Sequence, residues 1–267
     1  MILLNYYTWK VQKMEKIVEI AKRAGEIIAK AHCSENDIDV KPGDANFVTY
    51  YDVEIQKFLK KELLALYPTA RFIGEESGED AFEGGELIIV VDPIDGTTNF
   101  IRNTNHSCVS IGILKDKKPY MAVVFDPYKK ELFTAKRGGG AYLNGQKISV
   151  SKNGLKNSLV GFGTCPYYTE LRKKTMLLVD SLLDVCGDVR RQGSAALDLC
   201  YVAAGRFDIF FEYKLSLWDY CAAGLILTEA GGIICGDNQK ELEYNGSSAI
   251  FAANPKAYDE FYQKYDF

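Results

Sequence analysis

The sequence predicts a mixed α/β (α+β) protein built in layers, and three observations carry that prediction. Apolar residues recur at helical spacing over residues 11–32 and 52–67. The period then shortens into strand-length apolar runs as far as residue 150. Beyond that, strands and helices alternate. At roughly 100–200 residues per domain, 267 residues make one large domain or two fused ones. We place a boundary at 150, with an N-terminal α+β half (1–150) and a C-terminal α/β half (151–267) that share one site.

In the first helix Met14, Ile17, Val18, Ala21, Ala24, Ile28 and Ala31 form one stripe. The second, Asp52–Tyr67, turns Ile55, Phe58, Leu59, Leu63 and Leu66 inward, with Pro68 just past its end. Glu86–Val91 is a short buried strand running into Asp92. Ser107–Leu114 and Tyr120–Phe125 pair across a polar turn, and Leu132–Ala135 follows. Asn144-Gly145 between Ala141–Leu143 and Lys147–Val150 is a strong hairpin signal. The second half reads as strand Leu159–Gly163, helix Leu171–Val185, helix Ala195–Ala204 closed by Gly205, and strand Phe207–Phe211. Helix Asp219–Ala230, strands Ile233–Cys235 and Ala249–Ala253, and helix Tyr258–Tyr265 complete it.

Composition narrows the function classes. A 47% hydrophobic, 25% charged chain is an ordinary globular mix. A net charge of −4 gives no long-range attraction to nucleic acid or anionic lipid. No apolar run approaches the roughly 20 residues of a membrane helix, and Met1–Tyr7 lacks the features of a signal peptide. A cytoplasmic protein without nucleic-acid or membrane partners is expected. The seven cysteines are scattered and never spaced C-x-x-C, so they read as small buried hydrophobes in a reducing compartment. With only His32 and His106 present, a His-ligated metal centre is nearly excluded.

The chemistry-bearing residues are carboxylates. Asp92-Pro93-Ile94-Asp95-Gly96 alone would make a good β-turn. At the end of a buried strand, however, its two carboxylates can converge on hard cations, and an exposed Ile94 carbonyl adds an oxygen. Gly96-Thr97-Thr98 then offers N–H groups and hydroxyls to an anion. Gly74-Glu75-Glu76-Ser77 is a second acidic cluster, which in isolation reads as a solvated loop. Asp219 after Trp218 and Asp52 after Thr49-Tyr50-Tyr51 stand at helix starts, where an N-cap is the simpler reading. Oxygen ligands without histidine favour Mg²⁺, Mn²⁺ or Ca²⁺ over Zn²⁺.

In order and spacing these segments resemble the inositol monophosphatase family. The resemblance rests on Phe47–Asp52, Gly74–Ser77, Asp92–Phe100, Arg191–Asp198 and Trp218-Asp219 with Glu229–Gly232, and runs from about Ala24 to Asn254. It implies an αβαβα layered sandwich, as in inositol monophosphatase and fructose-1,6-bisphosphatase. It also implies a Mg²⁺-dependent, lithium-sensitive phosphomonoesterase, binding two to three ions (Mn²⁺ being an alternative), that forms a homodimer. By position, Glu75, Asp92 and the Ile94 carbonyl would hold one ion, and Asp92, Asp95 and Asp219 a second. Glu76 and Asp52 would serve a looser third. Thr97, hydrogen-bonded toward Asp52, would orient the attacking water, and the Gly96 and Thr97 amides would take phosphate oxygens. Glu212 and the turn Gly193-Ser194-Ala195 would face the substrate alcohol, and Lys41 matches a family lysine near the metals. Catalysis would be in-line attack by a metal-activated water, with no covalent intermediate.

Thr98-Asn99-Phe100 is the form seen in the inositol monophosphatase branch, whereas the 3′-phosphonucleotide branch tends to carry a lysine and an acid there. A small phosphorylated polyol or sugar is therefore expected. Myo-inositol-1-phosphate ranks first, fructose-1,6-bisphosphate second and a 3′-phosphoadenosine phosphate third. Ser216 stands where some members carry a histidine, and Lys214 reads as a solvated lysine that could also meet a second anion. Gly138-Gly139-Gly140 lacks the Lys-Ser/Thr of a phosphate loop and reads as a tight turn. Tyr6, Tyr7, Trp9, Tyr167 and Tyr168 have no basic stripe beside them and read as packing or a subunit interface. From a different class, a non-catalytic interaction protein on the same scaffold would normally have lost carboxylates that are all present here.

Overall fold

The structure, a computed structural model, describes residues 2–31, 37–40, 47–77 and 85–267, and the side chains of 2–12, 40 and 47 are not described. His32, Cys33 and Lys41, and the side chains of Tyr6, Tyr7 and Trp9, lie outside what is described.

Two helices, α1 (Ile2–Lys30) and α2 (Tyr50–Leu66), flank a two-stranded ribbon of β1 (Ile38–Val40) and β2 (Phe47–Thr49). A seven-stranded sheet follows: β3 (Arg71–Gly74), β4 (Leu87–Asp95), β5 (Cys108–Lys115), β6 (Lys118–Asp126), β7 (Glu131–Lys136), β8 (Ala141–Leu143) and β9 (Gln146–Lys147). They lie in chain order, with only the β3–β4 pair parallel. The short helix α3 (Thr97–Ile101) interrupts the β4–β5 connection. The remaining elements are β10 (Leu159–Phe162), α4 (Thr169–Leu183), β11 (Asp188–Arg190), α5 (Ala195–Ala203), β12 (Ile209–Leu215), α6 (Leu217–Glu229), β13 (Ile233–Cys235), β14 (Ser248–Ala253) and α7 (Pro255–Tyr262). Their strands form a five-stranded sheet, ordered β11-β10-β12-β14-β13, in which β10 is parallel to both neighbours.

Burial explains the layering. Ile88 and Val90 of β4 face a core shared with α5, α6 and the second sheet, while Ile89 and Val91 face α1 and α2. Along β12, Phe210 faces that shared core and Ile209 and Phe211 face α4 and α7. Both sheets are covered on both faces, which is why their strands read as unbroken apolar runs. The order is helices, sheet, helices, sheet, helices, the αβαβα sandwich. No helix among the described residues is long and apolar enough to cross a membrane.

Two sequence expectations change. Asp92–Gly96 is not a β-turn, because β4 runs on to Asp95 with a bulge that sets Pro93 and Ile94 against Val109 alone. Pro93 has no N–H to offer a central strand, and a bulge removes that conflict. The hairpin at Asn144-Gly145 forms with positive φ at both residues, but β9 ends at Lys147 rather than Val150. The triple glycine is a tight turn. Its Gly138 and Gly140 amides donate to the two carboxylate oxygens of Glu229, 2.7 Å each.

Candidate active site

The expected residues gather where helix N-termini meet strand ends. Asp52 and Asp219 are the third residues of α2 and α6, so neither is an N-cap. Thr49 and Ser216 hold that position, and each aspartate closes a capping box. Asp52 Oδ2 accepts from the Thr49 N–H (2.7 Å) and hydroxyl (2.5 Å). Asp219 Oδ2 accepts from the Ser216 N–H at 2.7 Å. Asp92 Oδ1 accepts from the Ile94 N–H at 3.0 Å across the bulge. Asp95 reaches the start of α5, where Ala196 N–H donates to its Oδ2 at 2.8 Å and Ser194 donates its hydroxyl to the same oxygen. Each of the four thus has one oxygen anchored, three of them at helix N-termini whose dipoles favour anions. Asp92 Oδ2 and Asp219 Oδ1 take no hydrogen bond among the described residues.

Asp92, Asp95 and Asp219 each bring a carboxylate oxygen to within 4.8 Å of the others. Asp52 and Asp92 are almost fully buried and Asp219 is half-buried. Among the described residues no salt bridge reaches any of these aspartates. Burial, reinforced by Glu75, Asp95 and Asp219, pushes the Asp92 carboxyl well above its ordinary range. Burial raises Asp219 too, with Asp95 and Glu75 adding. Burial raises Asp95 against the opposing bonds from Ser194 and Ala196. Burial brings Asp52 to about 7, with the Thr49 bonds opposing it. Buried carboxylates crowded together without cations need positive charge to ionise together. The donor set, oxygen without histidine, fits a hard divalent ion.

Glu75 and Glu76 start the turn after β3 and are half-buried, with Glu75 acting electrostatically on Asp52, Asp92 and Asp219. The turn is held by Gln56 of α2, whose side-chain oxygen accepts from the Glu76 N–H at 2.9 Å. Thr97 Oγ1 lies 3.2 Å from Asp52 Oδ1 and 3.1 Å from the Ile94 carbonyl. That carbonyl belongs to a fully buried residue, so it is not exposed as the turn reading required. Gly96 has φ 94°, and a Cβ there would lie 3.0 Å from the His106 carbonyl. It precedes α3, which no side chain caps.

Beside the cluster lies a cleft of about 130 Å³, lined among others by Asp95, Arg191, Gly193, Ala195, Glu212 and Asp219. Ser194 also lines it, although its hydroxyl is directed to Asp95. Glu212 Oε1 accepts from the Cys165 N–H at 3.1 Å, and burial raises its carboxyl to about 7, with Cys165 and Arg191 opposing. Any side chain at Gly163 would collide with the Glu212 carboxylate. Lys214 is not simply solvated, since its ammonium sits 4.2 Å from the Tyr168 ring centroid.

Three residues have roles here that the sequence did not assign them. Gln56 looked like one more polar helix position. Asn99 donates to the His106 and Gln192 carbonyls, 2.8 Å each, and so ties the loop after α3 to the loop before α5. Asp198 looked like a polar residue on a buried helix. Asn99 and Asp198 fell within recognised segments, Asn99 as a branch marker, but without these contacts, and Gln56 is revealed only by the long-range packing.

Fold and site together define a layered α/β protein with a buried acidic metal-type centre beside a small polar cleft. The chain belongs to the inositol monophosphatase family, whose model, "Inositol monophosphatase family", matches residues 10–266. It is 37% identical over 249 residues to Nus factor SuhB of Pasteurella multocida, covering 92% of this chain and 93% of that one. Nus factor SuhB of Escherichia coli K12 is 39% identical over 242 residues, 90% of each chain. Among solved structures, the extragenic suppressor protein suhB of Bartonella henselae superposes with TM-score 0.82 at 30% identity, covering 91% of this chain and 94% of that one. SaIMPase-II with inositol monophosphate bound gives TM-score 0.78 at 28% identity, covering 92% and 91%. Membership supports a phosphatase of this superfamily, and the three-aspartate cluster fits the family's dependence on metal.

Proposed function

We propose that the protein is a Mg²⁺-dependent phosphomonoesterase acting on a small phosphorylated polyol or sugar, with myo-inositol-1-phosphate the leading candidate. The observation that supports this best is the convergence of Asp92, Asp95 and Asp219, without a cation partner among the described residues, beside the Asp52–Thr97 pair. The bound inositol monophosphate of SaIMPase-II supports the substrate class. Fructose-1,6-bisphosphate and 3′-phosphoadenosine phosphate follow in that order. Mn²⁺ is the alternative ion.

Glu75, Glu76, Asp92, Asp95 and Asp219 would hold the ions, joined by the Ile94 carbonyl once it is freed from Thr97, and the ions would supply charge neutralisation at phosphorus and acidify water. Asp52, held by Thr49 and raised by burial, takes the proton that Thr97 relays from the attacking water. The uncapped amides at Gly96 and Thr97 receive phosphate oxygens. The cleft formed by Gly193, Ser194, Ala195 and Glu212 seats the alcohol and holds it in line with the attack.

A homodimer in the cytoplasm completes the reading. Among the described residues, five of the seven exposed large hydrophobic side chains, Tyr167, Tyr168, Met176, Leu177 and Leu183, lie on or beside α4 and offer such a dimer a surface to cover. A second reading, a binding protein on this scaffold, is favoured by the relatives' name, Nus factor SuhB. The carboxylates retained here favour the enzyme.

Phosphate release should be measured from inositol-1-phosphate, fructose-1,6-bisphosphate, 3′-phosphoadenosine phosphate and glycerol-2-phosphate, each with Mg²⁺ and with EDTA. We expect Mg²⁺-dependent release, fastest from inositol-1-phosphate. No release from any of the four would leave the binding-protein reading standing.

A further inference from the structure

We propose that Asp198 is a specificity-determining residue of the cleft, accepting a hydroxyl of the substrate's alcohol half. This rests on the phosphatase reading above.

Asp198 is the fourth residue of α5 and lines the cleft together with Asp95, Glu212 and Asp219. It is 1% exposed, and its Oδ1 has no hydrogen-bond partner among the described residues. Two other buried side-chain atoms share that condition, His106 Nε2 and Asp126 Oδ2, and neither residue lines this cleft. The neighbouring acids differ from Asp198: Asp52, Asp92, Asp95, Asp219 and Glu212 all have an oxygen anchored by a main-chain N–H. A buried oxygen without a partner is costly to keep, so its place in a substrate cleft points to a partner that arrives with the ligand.

The surroundings select the chemistry of that partner. Asp95 and Glu212 beside Asp198 oppose an incoming anion, and the Arg191 guanidinium offsets part of the acidic charge. A neutral hydroxyl donates a hydrogen bond without adding charge. Glu212, with one oxygen fixed by Cys165, is a second acceptor in the same cleft. Two acceptors and the Arg191 guanidinium in one small cavity suit an alcohol bearing several hydroxyls.

The test compares wild type, Asp198→Asn and Asp198→Ala on myo-inositol-1-phosphate and on p-nitrophenyl phosphate, whose leaving group carries no further hydroxyl. We expect kcat/KM on inositol-1-phosphate to fall about tenfold or more in Asp198→Ala, mainly through KM. On p-nitrophenyl phosphate all three proteins should agree within about twofold. Equal losses on both substrates would show a structural role, and wild-type constants on both would show that Asp198 reads nothing; either overturns the proposal. Melting temperatures check folding, and the isosteric Asn variant carries the comparison if the Ala variant unfolds. A wild type inactive on both substrates would instead sink the phosphatase reading, and this inference with it.

Discussion

Asp92 is the residue on which the site turns. It stands on a strand bulge, is anchored at one oxygen by the Ile94 N–H, and faces Glu75, Asp95 and Asp219. Replacing it with Asn keeps the shape and removes one charge. Without divalent cation, Asp92→Asn should melt higher than wild type at pH 8, because an uncompensated buried charge is gone. A lower melting temperature would mean that the cluster is not under electrostatic strain. Thr97 makes a different prediction. Its hydroxyl lies within hydrogen-bond reach of both Asp52 and the Ile94 carbonyl, so Thr97→Val should cut kcat by about 10²-fold or more and leave cation affinity within a few-fold. An equal fall in cation affinity would assign Thr97 to ion binding instead.

At the scale of elements, the site depends on where α6 sits, since Asp219 is on its first turn. The other end of α6 carries Glu229, an acid where the helix dipole disfavours one. The Gly138 and Gly140 amides compensate by gripping both of its oxygens. Glu229→Ala should therefore cost about 1–3 kcal/mol of stability, read as a lower denaturant midpoint at unchanged slope. An unchanged midpoint would show that the grip contributes nothing. Much of this organisation was legible in the sequence, because sheets covered on both faces leave unbroken apolar runs and amphipathic helices leave stripes. The β7–β8 turn was legible in three glycines, but its partner Glu229, some 90 residues on, was not. Asp92–Gly96 misled because Pro, Asp and Gly are turn residues, and only pairing with β5 shows that they form a bulged strand end. The carboxylates of the site could be read from spacing within a resemblance. Which oxygen of each is anchored depends on helix starts that the chain brings together only on folding, as with Asp95 at α5.

For the whole molecule, the acidic centre couples stability to pH and to cation. A carboxyl raised by folding contributes stability that is present below its unfolded value, near 4, and lost as pH rises through its folded value. Asp52 reaches about 7, and Asp92, Asp95 and Asp219 are raised as well. The cation-free protein should thus lose melting temperature from about pH 4 to 7. His106, lowered to about 4 by burial and by Lys129, acts in the opposite sense, gaining stability as pH rises from 4 to 6.5. It is one group against several, Glu212 among them, so the carboxyls should dominate. Saturating Mg²⁺ should remove the loss, because the ion binds the ionised cluster. A melting temperature that rises with pH in EDTA would contradict this. The most direct measurement of all is phosphate release from myo-inositol-1-phosphate during a Mg²⁺ titration of wild type and Asp92→Asn. We predict saturable, EDTA-reversible activity in wild type and a rate lower by about 10³-fold or more in the variant at every Mg²⁺ concentration. Near-normal turnover by Asp92→Asn, or release that ignores both Mg²⁺ and EDTA, would contradict a metal-dependent phosphatase centred on these carboxylates.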